Sequence, residues 1–195
     1  MKKLTLSLLT ALAVATPSIA GTVVVSKEYV APNPPPPCFK DQEFSIDLFY
    51  SFNDGRPGRY HYFHDGSGGG VGLNYFFARY IGISVEGNWW GGARKDYNED
   101  LGRSTSSKRT VTHQVAGHLV LRYPVELSNF CFAPYIFGGG GGIWDGKGTG
   151  FGDVGAGMEF RITQNFGIFG DWRWNFTGDK ANDLSTTRAG IRFTF

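Results

Sequence analysis

The chain has 195 residues, with 19 Lys and Arg against 17 Asp and Glu, 41% hydrophobic and 16% aromatic side chains, 29 Gly and two Cys. A formal charge of +2 is too small for a nucleic-acid binder, whose affinity comes from neutralising many phosphates, so no nucleic acid is expected as a partner. The length suits one domain. Abundant rings beside Gly with no Gly-X-Y period favour an all-β chain over collagen or disorder.

Met1 to Ala20 reads as a signal peptide. Lys2 and Lys3 open it, Leu4 to Val14 is apolar, and Ser18 and Ala20 place small residues before a cut. The apolar run is too short to remain as a membrane anchor. Without Lys2 and Lys3 the basic count falls to the acidic one, 17, and the mature charge is zero. Residues 21–42 form a Pro-rich periplasmic lead-in with Pro32 and Pro34 to Pro37, expected to be extended and outside any ladder. No later stretch has the roughly 20 apolar residues of a membrane helix. After export the chain is therefore either soluble or crosses a membrane as a closed barrel.

From Glu43 the hydrophobic period is two, and residues 43–195 divide into eight stretches of about nine to fourteen residues, the length a tilted membrane strand needs. Phe44–Phe52 sets Phe, Ile, Leu, Tyr and Phe against Ser45, Asp47, Phe49 and Ser51. Gly70–Phe77 and Tyr80–Trp90 follow, with Ile81, Ile83, Val85 and Trp89 opposed to Ser84, Glu86 and Asn88. Thr110–Tyr123 alternates Val111, Val115, Leu119 and Leu121 with Gln114, His118 and Arg122. Phe132–Ile143 is Gly-rich, and its facing is open. Phe151–Arg161, Phe166–Phe176 and Thr186–Phe195 again alternate apolar residues with Asp153, Glu159, Asp171, Arg173, Arg188 and Arg192. Links Asn53–Gly69, Gly91–Arg109, Trp144–Gly150 and Thr177–Ser185 are polar, whereas the second and sixth links are tight and the fourth, Pro124–Cys131, is intermediate. Long loops on one side and short turns on the other is the topology of an up-and-down meander.

The polar face decides between a soluble barrel and an inverted one. It holds Asp47, Glu86, Asp153, Glu159 and Asp171 against Arg122, Arg161, Arg173, Arg188 and Arg192, with no Lys. A wet face would use Lys freely, also as edge protection. Matched carboxylates and Arg forks suit an enclosed polar lumen instead. Asp47, Glu86, Glu159, Asp171, Arg173, Arg188 and Arg192 are the expected lumen ion pairs. Trp89, Trp90, Trp144, Trp172 and Trp174 would form an aromatic girdle at the loop end. Phe44, Tyr80, Tyr123, Tyr135, Phe166 and Phe195 would form the second. The fold expected is an all-β, eight-stranded antiparallel closed transmembrane β-barrel. At that size side chains fill the interior, so the lumen should be plugged.

Arg188-Ala189-Gly190-Ile191-Arg192-Phe193-Thr194-Phe195 resembles the terminal strand signal of outer-membrane barrels. Gly190, Phe193 and Phe195 would be its recognised positions, read by barrel-assembly machinery through strand addition. Val71–Phe77 and Pro134–Gly140 also resemble strands of the small opacity/OmpA-like outer membrane protein beta-barrel family, over about Phe39 to Phe195. That resemblance implies a place among outer-membrane lipids; the role expected of the chain is structural or surface-interactive, with any extracellular ligand taken through the first two long loops, Asn53–Gly69 and Gly91–Arg109. It implies fold and place more than activity. Export permits a disulfide, and Cys38 and Cys131 fall on the same, periplasmic side. A Cys38–Cys131 bond is expected, although spacing does not set its geometry.

No cofactor, metal or catalysis is expected. The Gly138–Gly142 run and Gly146–Gly150 lack the phosphate-loop spacing and its strand–helix context. His61, His64 and Asp65 are too few to define a metal site in a loop. Some eight-stranded barrels modify lipid A, but His113 has no Ser two residues away, and a Ser without a positioned base is inert. A narrow channel is the other alternative.

Overall fold

Alternating apolar and polar residues make every strand two-faced, and such strands are stable only if each face meets a matching medium. The computed structural model describes residues 37–55, 65–98, 103–127, 130–145, 148–177 and 183–195. The strands are β1 (Glu43–Gly55), β2 (Gly66–Ala78), β3 (Ile81–Asn98), β4 (Arg103–Arg122), β5 (Val125–Glu126), β6 (Cys131–Trp144), β7 (Gly148–Arg161), β8 (Phe166–Thr177) and β9 (Leu184–Thr194). All neighbours are antiparallel; β1 pairs with β9, and β4 with β6, which closes the sheet. The two-residue β5 continues the line of β4 beyond Tyr123–Pro124, where proline supplies no ladder donor. The barrel therefore has eight staves in meander order.

The turns β2–β3 and β7–β8 and the β4–β6 connection share one end with residues 37–42 and Phe195. At the other end the strands run further than their polarity suggests. β3 and β4 pair up to Asn98 opposite Arg103, so most of Gly91–Arg109 is a tall hairpin rather than a loop. β1 and β2 likewise pair through Asn53 and Gly66, and Trp144 lies opposite Gly148, so these links are also shorter than expected. A polar strand persists there because backbone pairing does not itself require an apolar face. His61 and His64 lie outside the described residues.

Facing follows the period. Leu48, Val71, Leu73, Ile83, Val85, Val115, Leu119 and Ile168 are exposed on the outside, while Ser45, Asp47, Ser51, Glu86, Gln114 and Glu159 are buried within. A continuous apolar belt of this size on a closed sheet is the surface of a membrane-spanning barrel. Two aromatic residues depart from the expected girdles. Trp90 is buried and packs inside with Ile143, Phe151 and Leu184, as its parity with Glu86 and Asn88 requires. Tyr135 is buried among Phe76, Val120 and Phe137 instead of standing at the interface. Trp89, Trp144 and Trp172 remain outside, with His113 stacked on Trp144 at 6.1 Å.

Candidate functional site

The interior is built in tiers. At the turn end, Glu43, Asp47 and Glu159 meet Arg122, Arg161 and Arg192. Glu43 Oε1 accepts from Arg122 Nη1 at 2.7 Å and from Arg161 Nη2 at 2.6 Å. Arg161 Nε also donates to Glu159. Arg192 reaches two strands. Its Nε and Nη2 hold the two Asp47 oxygens at 2.7 and 2.6 Å, and its Nη1 holds Glu159. Asp47 and Arg192 stand directly opposite in the β1–β9 register, so the strand pairing itself places this fork.

The middle tier crosses the lumen. Arg173 from β8 binds Glu86 of β3 through Nη1 at 2.5 Å and Nη2 at 3.0 Å, and lies 3.3 Å from Asp153. Arg188 binds Asp171 at 2.8 and 2.7 Å and also donates to Glu86. Tyr135 donates its hydroxyl to Asp171 at 2.8 Å, which explains why its ring turns inward. His118 Nε2 and Asp153 are 2.8 Å apart. Charges are tolerated here because each meets several partners; an isolated one would cost several kcal/mol. Inward rings cover the guanidinium faces: Phe76 lies 3.6 Å from Arg122, Phe49 4.6 Å from Arg188, and Phe169 5.2 Å from Arg192.

Toward the loop end comes a neutral tier in which side chains close a circuit. Ser51 Oγ donates to Asn88 at 2.8 Å, Asn88 to Gln114 at 3.4 Å and Gln114 to Asn175 at 3.2 Å. Asn175 then donates to Thr186 at 3.2 Å, Thr186 to Asn53 at 2.9 Å, and Asn53 back to Ser51 at 3.3 Å. The circuit links staves β1, β3, β4, β8 and β9. A cavity of about 20 Å³, enough for about one water, lies among Asp47, Asn74, Ser84, Glu86, His118 and Arg192.

All seven residues named from the sequence for lumen pairing lie inside and contact one another in the pairs just given. Sequence reasoning missed Glu43, taken only as a strand start, although its parity with Ser45 and Asp47 carried the signal. It also missed the amide circuit, whose members share the polar parity but two of whose links, Ser51–Asn88 and Gln114–Asn175, join strands that are not neighbours. Gly190 lies opposite Phe49, Phe193 is outward beside Phe166, and Phe195 is exposed with its N–H donated to Phe44 O at 2.9 Å. Cys38 and Cys131 form a disulfide, with Cα atoms 6.3 Å apart. Among the described residues no group of three or more His, Cys, Asp or Glu is arranged to hold a metal.

The structure resembles solved outer-membrane barrels. The N-terminal β-barrel domain of Pseudomonas aeruginosa OprF aligns with TM-score 0.54 at 14% identity, covering 80% of this chain and 99% of that one. Ail of Yersinia pestis, solved in complex with the heparin analogue sucrose octasulfate, aligns with TM-score 0.52 at 15% identity, covering 80% and 99%. Neisserial surface protein A gives 0.51 at 13%, covering 78% and 96%. At these identities the likeness concerns the fold. No curated protein sequence matches. The profile of the outer membrane protein beta-barrel domain matches residues 39–195, which take in every strand of the closed sheet and its inward-facing polar tiers. The chain belongs to the outer membrane protein beta-barrel domain family, and its place is the outer membrane.

Proposed function

We propose that this protein is a plugged outer-membrane barrel with a structural or surface-interaction role exercised through its extracellular loops, and that it neither catalyses a reaction nor conducts. The observation that carries this reading is the stack of ion-pair tiers and the amide circuit, with a cavity of about 20 Å³ among the described residues of the two ion-pair tiers. A hydrated ion would have to break several charge-assisted contacts at once. The loop end is then the face left for partners, and the tall β3–β4 hairpin carries the second loop well beyond the Trp89–Trp144 row. Ail, a barrel of the same fold, was solved with a sulfated saccharide analogue, which supports the idea that such a barrel can present a surface ligand site. Residues 1–20 act as a cleaved leader, and Gly190, Phe193 and Phe195 as the assembly signal.

Planar-bilayer recording of the purified barrel tests the reading. The expected result is a silent bilayer across a wide voltage range. Reproducible unit conductance would replace it with the channel reading, and altered lipid A masses after expression would replace it with the enzyme reading.

A further inference from the structure

The end of the lead-in is not a free tail. β1 and β6 face each other across the eight-stave circle, with three staves between them on either side. Cys38 precedes the start of β1 and is bonded to Cys131, the first residue of β6. Residues 38–42 therefore cross the full turn-end mouth as a strap. Beneath the strap Phe39 is fully buried, packed on Cys131 and Ala133, with the guanidiniums of Arg122 and Arg161 each 4.9 Å from its ring. On the outer side, Asp41 accepts from Arg79 N in the β2–β3 turn at 2.7 Å, and Lys40 N donates to Glu43 at 3.3 Å.

We propose that Cys38 is a thiol-exchange site at which a periplasmic dithiol releases this strap from the barrel mouth. Three features make the strap separable from the barrel. Lys40, Asp41 and Gln42 are exposed, so their hydrogen bonds compete with water. Gln42 sits at φ 55, a left-handed conformation costly for a residue with a side chain. The strap adds no rung to the closed sheet, whose β1 ladder begins only at Glu43. The covalent tie thus holds a strained, largely solvated segment whose main non-covalent anchor is one ring.

The two cysteines also differ in exposure. Cys131 is buried, whereas Cys38 is partly exposed at the edge of the Phe39 cluster. An incoming thiolate attacks Cys38 Sγ; a mixed disulfide forms, the Cys38–Cys131 bond breaks, and Cys131 leaves as a thiolate that takes up a proton. The second thiol of the reagent then displaces Cys38. Two electrons have passed to the protein pair, leaving two thiols, and the dithiol is oxidised to a disulfide. Swinging the strap away uncovers the Glu43–Arg122–Arg161 tier but leaves the Glu86–Arg173 tier in place, so release remodels the periplasmic face without opening a pore. That the mouth is periplasmic rests on the proposed orientation; the geometry of the strap does not.

The test uses the mature barrel in lipid nanodiscs, where both mouths meet reagent whichever one faces the periplasm. Trypsin cleavage after Lys40 is followed by mass spectrometry, and strand amides by hydrogen exchange, with and without dithiothreitol. Reduction is expected to raise the Lys40 cleavage rate by about tenfold or more while β6 and β7 amides keep their protection. Cys38 should then alkylate before Cys131, and C131S should show the fast rate without reductant. An unchanged rate after full reduction would overturn the proposal, because Phe39 and Asp41 would then suffice to hold the strap. Loss of strand protection together with the strap would overturn it equally, making the bond part of the barrel itself. So would a disulfide that dithiothreitol cannot reach in the folded protein.

Discussion

Replacing Arg192 by leucine tests the inverted barrel where its electrostatics are densest. Arg192 is 5% exposed and spans Asp47 on β1 and Glu159 on β7 with all three of its guanidinium nitrogens. Without it Asp47 keeps Asn74 Nδ2 at 2.9 Å, and Glu159 keeps Arg161 and a distant Arg122 at 3.9 Å. Removing one member of a buried pair costs about 3–5 kcal/mol, because the remaining charge is stranded away from water. With a urea slope of about 2 kcal/mol/M the unfolding midpoint should fall by about 1.5–2.5 M. Ile191→Leu is the control. It lies one residue away on the outer face, where hydrocarbon accepts either side chain, and should stay within about 0.5 kcal/mol. The double variant Asp47→Leu with Arg192→Leu should recover much of the loss, since removing both charges also removes the penalty of an unpaired one. Tryptophan fluorescence in urea, with the protein in bilayers, reads all three. Equal, small effects at positions 191 and 192 would refute the assignment of inside and outside.

Phe195→Ala should lower the yield of heat-modifiable barrel in the membrane, since Phe195 is the last exposed ring of the closing strand and contacts Phe44 at 6.3 Å; normal insertion contradicts its role as an assembly signal. N-terminal sequencing of the membrane fraction should begin at Gly21, and a Met1 start would contradict cleavage after Ala20. Gly141→Ala should cost about 1–3 kcal/mol or more, because a Cβ there stands 1.9 Å from Val115 O; Gly138→Ala, whose nearest contact is 3.6 Å, should be nearly silent. Equal urea midpoints for the two glycine variants would mean that β4 and β6 are not this close. Tyr135→Phe should lose about 0.5–1.5 kcal/mol by removing the hydroxyl from Asp171, and no loss at all would return Tyr135 to the lipid interface.

A period of two was enough to assign most residues to inside or outside, because a strand offers no third direction and each face must match its medium. Asp47, Glu86, Glu159, Asp171 and the three arginines were legible as lumen residues for that reason, and so was the closed barrel, which alone satisfies every backbone group in lipid. Phase was lost where the pattern lost its side chains. The Gly138–Gly142 run carries no apolar or polar mark, so Tyr135 read as an interface ring until Asp171 was seen to hold its hydroxyl. Trp90 shows the opposite failure: its parity pointed inward, but its ring type and its place at a strand end suggested the girdle. Strand length was hidden in β3 and β4, where polar residues above the membrane look like loop although their backbones remain paired. Partner choice lay beyond the sequence altogether. Which arginine meets which carboxylate depends on the stagger of staves distant in the chain, as with Glu86 and Arg173, and on closure bringing β1 to β9. The strap needed the same step. Two cysteines 93 residues apart become neighbours only because barrel closure sets the starts of β1 and β6 across one mouth, a distance that residues 38–42 can span.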